Sequence, residues 1–238
     1  MRAGACDSCP VRVLSCALVS AIEVLVRPLQ AFVEALPVDD AAASSLAAPF
    51  DVETLAATSR RAARCEEASI DLGEGPAWEA FHSQRPVGMR LDEERDRPVW
   101  PFFAAAPAIE DVGSVLAFPL TFGLVRIGAV SLYSSRTLTF DGEQFAVART
   151  LATLLACAVI VRALDEAQTG AAVGDPALSR REVHQATGMV IAQTGCTPAA
   201  ALLRIRGQAF STSTSVRNVA TEVLARRLTF SDDPDIRK

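Results

Sequence analysis

The polar residues with the best-defined chemistry lie in the last quarter of the 238-residue chain. Winding residues 181–192 at 100° per residue centres an apolar stripe on Val183, Ala186 and Val190. Arg181, Gln185, Gly188 and Ala192 then point the opposite way, with His184 at the flank. One outward face thus combines a cation, an amide and two very small side chains, which suits contact with a polyanion. Arginine pairs with phosphate, glutamine reaches a base edge or a phosphate, and small residues let another backbone come close. Arg204, Gln208, Arg217 and Arg226 add polar groups on the exposed sides of the two segments that follow. A solvated helix surface accounts for the same residues without any ligand.

The charge distribution follows the same division. Residues 1–177 carry a net charge of −9, residues 178–230 carry +5 and the last eight carry −1, for a total of −5. A wholly basic nucleic-acid binder is excluded, but a basic module on an acidic body remains, and such asymmetry favours a local polyanion contact.

Catalytic arrangements are not legible. The acidic part has one histidine, His82, with no neighbouring Ser-His-Asp or Cys-His pattern, and Cys65 is solitary. Cys6-Asp-Ser-Cys9 lacks the second pair that a zinc or redox site requires and reads as a frayed terminus. Six scattered cysteines in a chain of this size do not form a disulfide framework. No catalytic residue, metal or cofactor is therefore expected. Val11–Ala21 has Asp7 where a signal peptide carries basic residues. The longest uncharged apolar run, Thr150–Val161, has twelve residues against the roughly twenty that span a bilayer. A soluble, cytoplasmic protein without membrane contact is the expectation.

The elements that must position these residues follow from periodicity and punctuation. Val11–Leu36 has apolar residues at three- and four-residue spacing and reads as a helix that Pro28 kinks or splits. Ala41–Ala48 and Thr54–Ala57 read as two short strands around a turn at residues 49–51. A loop at Asp71–Pro76 leads into a short helix, Ala77–Ser83, and Leu91–Pro107 reads as irregular surface loop. Ser114–Phe122 and Leu124–Tyr133 flank Gly123 as a hairpin, with Pro119 marking an edge or a bulge. A long helix follows over Glu143–Ala167. Residues 178–230 read as three helices. Ser179-Arg-Arg-Glu182 is a capping box, Gly195 a C-cap, Thr197-Pro198 the start of the second helix, and Thr214 or Ser215 the start of the third. The short Gly195–Thr197 connection predicts an antiparallel pair from the first two helices.

Leu72-Gly-Glu-Gly-Pro-Ala-Trp-Glu-Ala-Phe81, Arg85-Pro-Val87, Trp100-Pro-Phe102, Ser114–Leu120 and Arg126–Tyr133 occur in an order that resembles a GAF domain over roughly residues 20–165. The resemblance implies a central antiparallel sheet with flanking helices and a small-molecule pocket on one face. Trp78, Phe81, Trp100, Phe118 and Phe122, with Phe102 and Phe103, are the residues to line that pocket; core packing is the alternative role for each.

Glu182-Val-His-Gln-Ala-Thr-Gly-Met-Val190, Gly195–Arg206 and Val216-Arg-Asn-Val-Ala220 are similar to an ANTAR domain. That resemblance implies a three-helix module that binds paired RNA stem-loops and suppresses transcription termination. Ala186, Gly188, Ala209 and Ala220 fall where the family has small helix-packing residues. Many members have lysine where this chain has Thr187, which removes one cation.

The combined expectation is an α+β protein: a GAF-like sensor over residues 11–167, a linker over 168–177, and an ANTAR-like three-helix module over 178–230. RNA contact is expected at Arg180, Arg181, His184, Gln185, Gly188, Arg204, Gln208 and Arg217. A nascent-transcript stem-loop would be the direct partner, RNA polymerase an indirect one, and the chain would act as a homodimer. A DNA-binding transcription factor, or a signalling protein acting through protein contacts alone, stays open as an alternative.

Overall fold

The computed structural model describes residues 24–48, 50–91, 99–169, 178–212 and 214–230. Residues 24–35 form the first helix, α1, which runs unbroken through Pro28; the expected segment 11–23 lies outside the described residues. Five strands follow: β1 (Asp40–Ser45), β2 (Glu53–Ala57), β3 (Val87–Arg90), β4 (Ser114–Phe122) and β5 (Val125–Ser134). They form one antiparallel sheet in the order β2-β1-β5-β4-β3. The hairpin expected around Gly123 is β4–β5. Pro119 sits inside a central strand, but β3 pairs only with residues 114–117. The β3 side of β4 is therefore open at Pro119, and the register shifts one residue later, between Leu120 and Thr121.

Strand alternation sorts the core into two layers. Phe118, Leu120, Val130 and Leu132 meet α1 and the long helix α5 (Gly142–Thr169) on one face. Val115 and Tyr133 face the other way, towards α2 (Arg60–Leu72), the one-turn α4 (Pro101–Ala104) and the 3-10 turn Pro107–Ile109. Beside them α3 (Pro76–Ser83) packs Ala77 and Phe81 on Leu46, Ile70 and Ala129.

Four elements depart from expectation. The helix α2 and the strand β3 have no counterpart in the expected elements, and Leu91–Pro107 is not all surface loop: it contains α4, which buries Phe103, and its last residue starts the 3-10 turn that buries Ile109. Their four- and three-residue lengths are too short to show periodicity, and residues 92–98 lie outside the described set. The buried stripe of α2 contains Glu66 and Ser69 beside Ala62, Cys65 and Ile70, so its apolar pattern is broken. Burial of Glu66 is possible because its carboxyl accepts from Ser44 Oγ at 2.5 Å and Tyr133 Oη at 2.7 Å.

By length and composition α5 is the one helix among the described residues long and apolar enough to cross a membrane. One side of it, Ala148, Ala152, Leu155, Ala156 and Val159, is packed on the sheet. The helix continues to Thr169, two residues into the expected linker.

Candidate nucleic-acid interface

The C-terminal module consists of α6 (Arg181–Thr194), α7 (Pro198–Ser211) and α8 (Val216–Leu224). The apolar stripes read from sequence converge: Val183, Ala186 and Val190 meet Ile205, Ala209, Val216, Val219, Ala220 and Val223 in one core. Gly195 ends α6 in the left-handed conformation that suits glycine, with φ 69°. Thr197 Oγ1 and Ser215 Oγ cap α7 and α8 by accepting from the amides of Ala200 and Asn218.

Two expectations are corrected. The Ser179–Glu182 capping box does not form. Arg180 is the N-cap residue, Ser179 Oγ accepts from the Arg181 amide at 3.3 Å, and Glu182 lies 3.6 Å from Arg217 Nη1. The serine stands one position too early for the reciprocal pattern. Nor are α6 and α7 antiparallel: the chain bends by 107° between them. The apolar stripe of α6 has to be covered by α8 as well, and a splayed pair leaves the wedge into which α8 packs.

The outward face of α6 is as expected in its exposure. Arg181, His184, Gln185, Gly188 and Ala192 are all exposed. Ala186, Ala209 and Ala220 are buried in helix packing, but Gly188 is not: a side chain built there would meet nothing within 4 Å. Thr187, in the place of the common lysine, turns its hydroxyl back to donate to the Val183 carbonyl at 2.7 Å. Arg204 and Gln208 are half-buried on α7.

Arg180 and Arg217 are placed differently. Arg180 is buried against the sensor domain, with Nη2 2.5 Å from Asp71 Oδ1 and Nη1 3.8 Å from Glu67 Oε1. In this arrangement Arg180 does not share the exposed face of Arg181. Arg217 Nε donates to Glu67 Oε1 at 3.1 Å. Arg206, which the sequence reading left out, donates from Nη2 to the Ile70 carbonyl at 3.0 Å. Val216, at the start of α8, donates its amide to Asp71 Oδ2 at 3.3 Å. Burial raises the Asp71 carboxyl from its ordinary value, with Arg180 opposing. Burial also raises Glu53 on β2, opposed by Arg162, Arg180 and His184. A second contact is aromatic: Phe102 of α4 meets Phe210 of α7 edge-on, with centroids 5.6 Å apart.

The five pocket aromatics are not brought together. Trp78 and Phe81 pack around Ile70, Trp100 packs on the cluster of Met89 and Phe103, and Phe118 lies on the opposite sheet face beside α5. Phe122 is exposed next to the hairpin turn. The period-2 alternation of β4 puts Phe118 on the α1/α5 side, away from the others. A cavity of about 510 Å³ opens elsewhere. Among the described residues it is lined by Met89, Leu91, Pro101, Ala104, Ile109 and Glu110, with their neighbours. Its wall combines Pro101, Pro107 and Ala104–Ala106 with Met89, Leu91, Ile109, Glu110 and Val112, and none of these described lining residues is aromatic. Cys65 lies near this region, donating to the Ala108 carbonyl, and burial pushes its thiol up to about 12. A thiol so raised is protonated at neutral pH and is a poor nucleophile. No group of three or more metal-ligating side chains occurs among the described residues.

The chain thus consists of a five-stranded antiparallel sheet between two helical layers, followed by a three-helix module with a polar outward face. The GAF domain profile matches residues 20–160, more than half of the chain, and the ANTAR domain profile matches residues 177–224. The chain belongs to the GAF domain family and carries an ANTAR domain after it. Among solved structures it is similar to a domain of a two-component sensor histidine kinase from Sinorhizobium meliloti, with 23% identity and a TM-score of 0.48 over 63% of this chain and 96% of that one. It is also similar to the GAF domain region of a membrane protein from Geobacter sulfurreducens (17%, TM-score 0.48, 62% and 98%). A third is a type II free methionine-R-sulfoxide reductase from Thermoplasma acidophilum (16%, TM-score 0.46, 61% and 95%). The comparison with curated proteins returned no match.

Proposed function

We propose that this protein is a sensor-controlled RNA-binding regulator that promotes transcription antitermination by binding stem-loops in nascent RNA. The observation that carries the reading is the exposed α6 face of Arg181, His184, Gln185 and Gly188 on a module matched to the ANTAR domain. Arg204, Gln208 and, once accessible, Arg180 and Arg217 extend the contact across α7 and α8. Recognition rests on phosphates and loop bases, since side chains cannot read the deep groove of A-form RNA. RNA polymerase responds indirectly, through the terminator hairpin that no longer forms.

The sensor domain is not an enzyme in this reading. Its input is a small molecule in the cavity beside Met89 and Ile109. The chain acts as a homodimer in the cytoplasm. Leu154, Val161 and Leu164 recur along α5 at heptad positions with Cys157 among them, outside the buried stripe of Ala148, Ala152, Leu155, Ala156 and Val159. Leu154, Val161 and Leu164 are 57%, 64% and 58% exposed, which favours burial against a second copy.

A filter-binding titration tests the RNA reading. An RNA with two hexaloop stem-loops is compared with duplex DNA across a salt series. The expected result is preference for RNA, with log affinity falling by about 0.7–0.9 per phosphate neutralised for each unit of log salt. Affinity without salt dependence would sink the proposal, and preference for the duplex would replace RNA with DNA.

A further inference from the structure

We infer that the sensor domain latches the module away from RNA: the Glu67 and Asp71 carboxylates occupy Arg180 and Arg217 in place of phosphate. This rests on the RNA reading of the module given above.

The reasoning begins at the C-terminal end of α2. A helix C-terminus is electronegative and favours cations, yet the last turn of α2 contains no basic residue and carries Asp71, with Glu67 one turn earlier. The missing cations come from the other domain. Arg180 pairs with Asp71 and approaches Glu67, Arg217 pairs with Glu67, and Arg206 takes the terminal carbonyl of Ile70. Asp71 also accepts from the first amide of α8. A guanidinium and a helix N-terminus are two of the partners that phosphate oxygens take in proteins, and here one carboxylate holds both.

The side chain of Arg180 is only 5% exposed in this arrangement, so RNA cannot reach it while the contact stands. An acidic body, net −9 over residues 1–177, is also held against the basic module and repels a polyanion. The pairing is strong in its centre but incomplete around it. Arg180 Nη1 and Arg206 Nε are buried without a hydrogen-bond partner. Unmet buried donors weaken the closed state, and a phosphate group, with more acceptor oxygens than a carboxylate, competes for them. Closed and open forms thus share one set of arginines, and RNA draws the population towards the open form.

The test uses the full chain and two variants, Glu67→Gln with Asp71→Asn, and Arg206→Met. The first removes the carboxylate charges with little change of shape. The second breaks the contact from the module side, at a residue outside the proposed RNA set. Affinity is measured for the two-stem-loop RNA, and the radius of gyration of each protein without RNA is measured by X-ray scattering. Both variants should expand, and both should bind RNA about tenfold more tightly, the effect of releasing a state closed about nine times in ten. An unchanged radius in both folded variants would overturn the latch. Expansion with RNA affinity equal to that of the parent would overturn the masking. If neither parent nor variants bind RNA in a salt-dependent way, the RNA reading fails and the masking with it, while the radius still reports whether the acidic pair holds the module.

Discussion

Replacing Glu66 by alanine lowers the stability of the sensor domain by about 3 kcal/mol or more, because two buried hydroxyls lose their acceptor at once and each unsatisfied group costs about 1–3 kcal/mol. Ser44 Oγ and Tyr133 Oη both donate to this carboxyl, and both residues are fully enclosed between α2 and the sheet. The void left by the side chain adds to the loss. Glutamine at the same position preserves shape and an acceptor, and it separates packing from charge. Burial raises the Glu66 carboxyl above its ordinary value of 4.5, so the fold favours the protonated form. The stabilisation from that form is complete below the ordinary carboxylate value and is lost as pH rises through the raised one. Thermal denaturation followed by circular dichroism should therefore show Glu66→Gln gaining on the parent as pH rises from about 4 towards 8. A melting-temperature difference that stays flat over that range would contradict a buried titrating carboxyl.

The second large effect concerns RNA. Reversing Arg181 and Arg204 together, by Arg181→Glu and Arg204→Glu, should weaken affinity for the two-stem-loop RNA by about a hundredfold. A charge-assisted hydrogen bond contributes roughly 1.5–3 kcal/mol, so the loss of each cation is worth about tenfold or more. The salt slope should also become shallower by roughly 1.5, the equivalent of two phosphates. Arg181 is exposed on α6 and Arg204 is half-buried on α7, and neither belongs to the apolar core of the module. An unchanged helical spectrum then assigns the loss to contact and not to unfolding. Equal affinities for variant and parent would show that RNA, if bound, uses another face.

The parts of the fold that could be read from residues were those where one physical signal acted alone. The hairpin β4–β5 announced itself by β-branched and aromatic runs around Gly123, and α6–α8 by apolar stripes with glycine, threonine and serine at their ends. Where signals conflicted, reading failed. The helix α2 buries a carboxylate among its apolar residues, and only the sheet it meets supplies the hydroxyls that make this tolerable. The outward α6 face was legible because helical geometry alone decides it. The inward placement of Arg180 was not, because its partners stand 109 and more residues earlier in the chain. Tryptophans and phenylalanines mark a pocket in a sequence, whereas this cavity is walled by aliphatic side chains, alanines, prolines and Glu110, which carry no such mark.

The one-turn helix α4 has a consequence for how two distant ligands would sense each other. Pro101 and Ala104 face the cavity, while Phe102, between them in sequence, meets Phe210 of the C-terminal module. A four-residue helix has few hydrogen bonds of its own, so its position is set by what lies on its two sides; one further tie is the Phe103 amide, which donates to Glu74 just beyond α2. On the proposed reading, a ligand in the cavity and RNA on the module would both bear on α4. Free-energy coupling through such an element is symmetric: whatever factor a cavity ligand imposes on RNA affinity, RNA must impose on the affinity for that ligand. On the RNA reading proposed above, a transcript would then act as an effector of the sensor as well as its target.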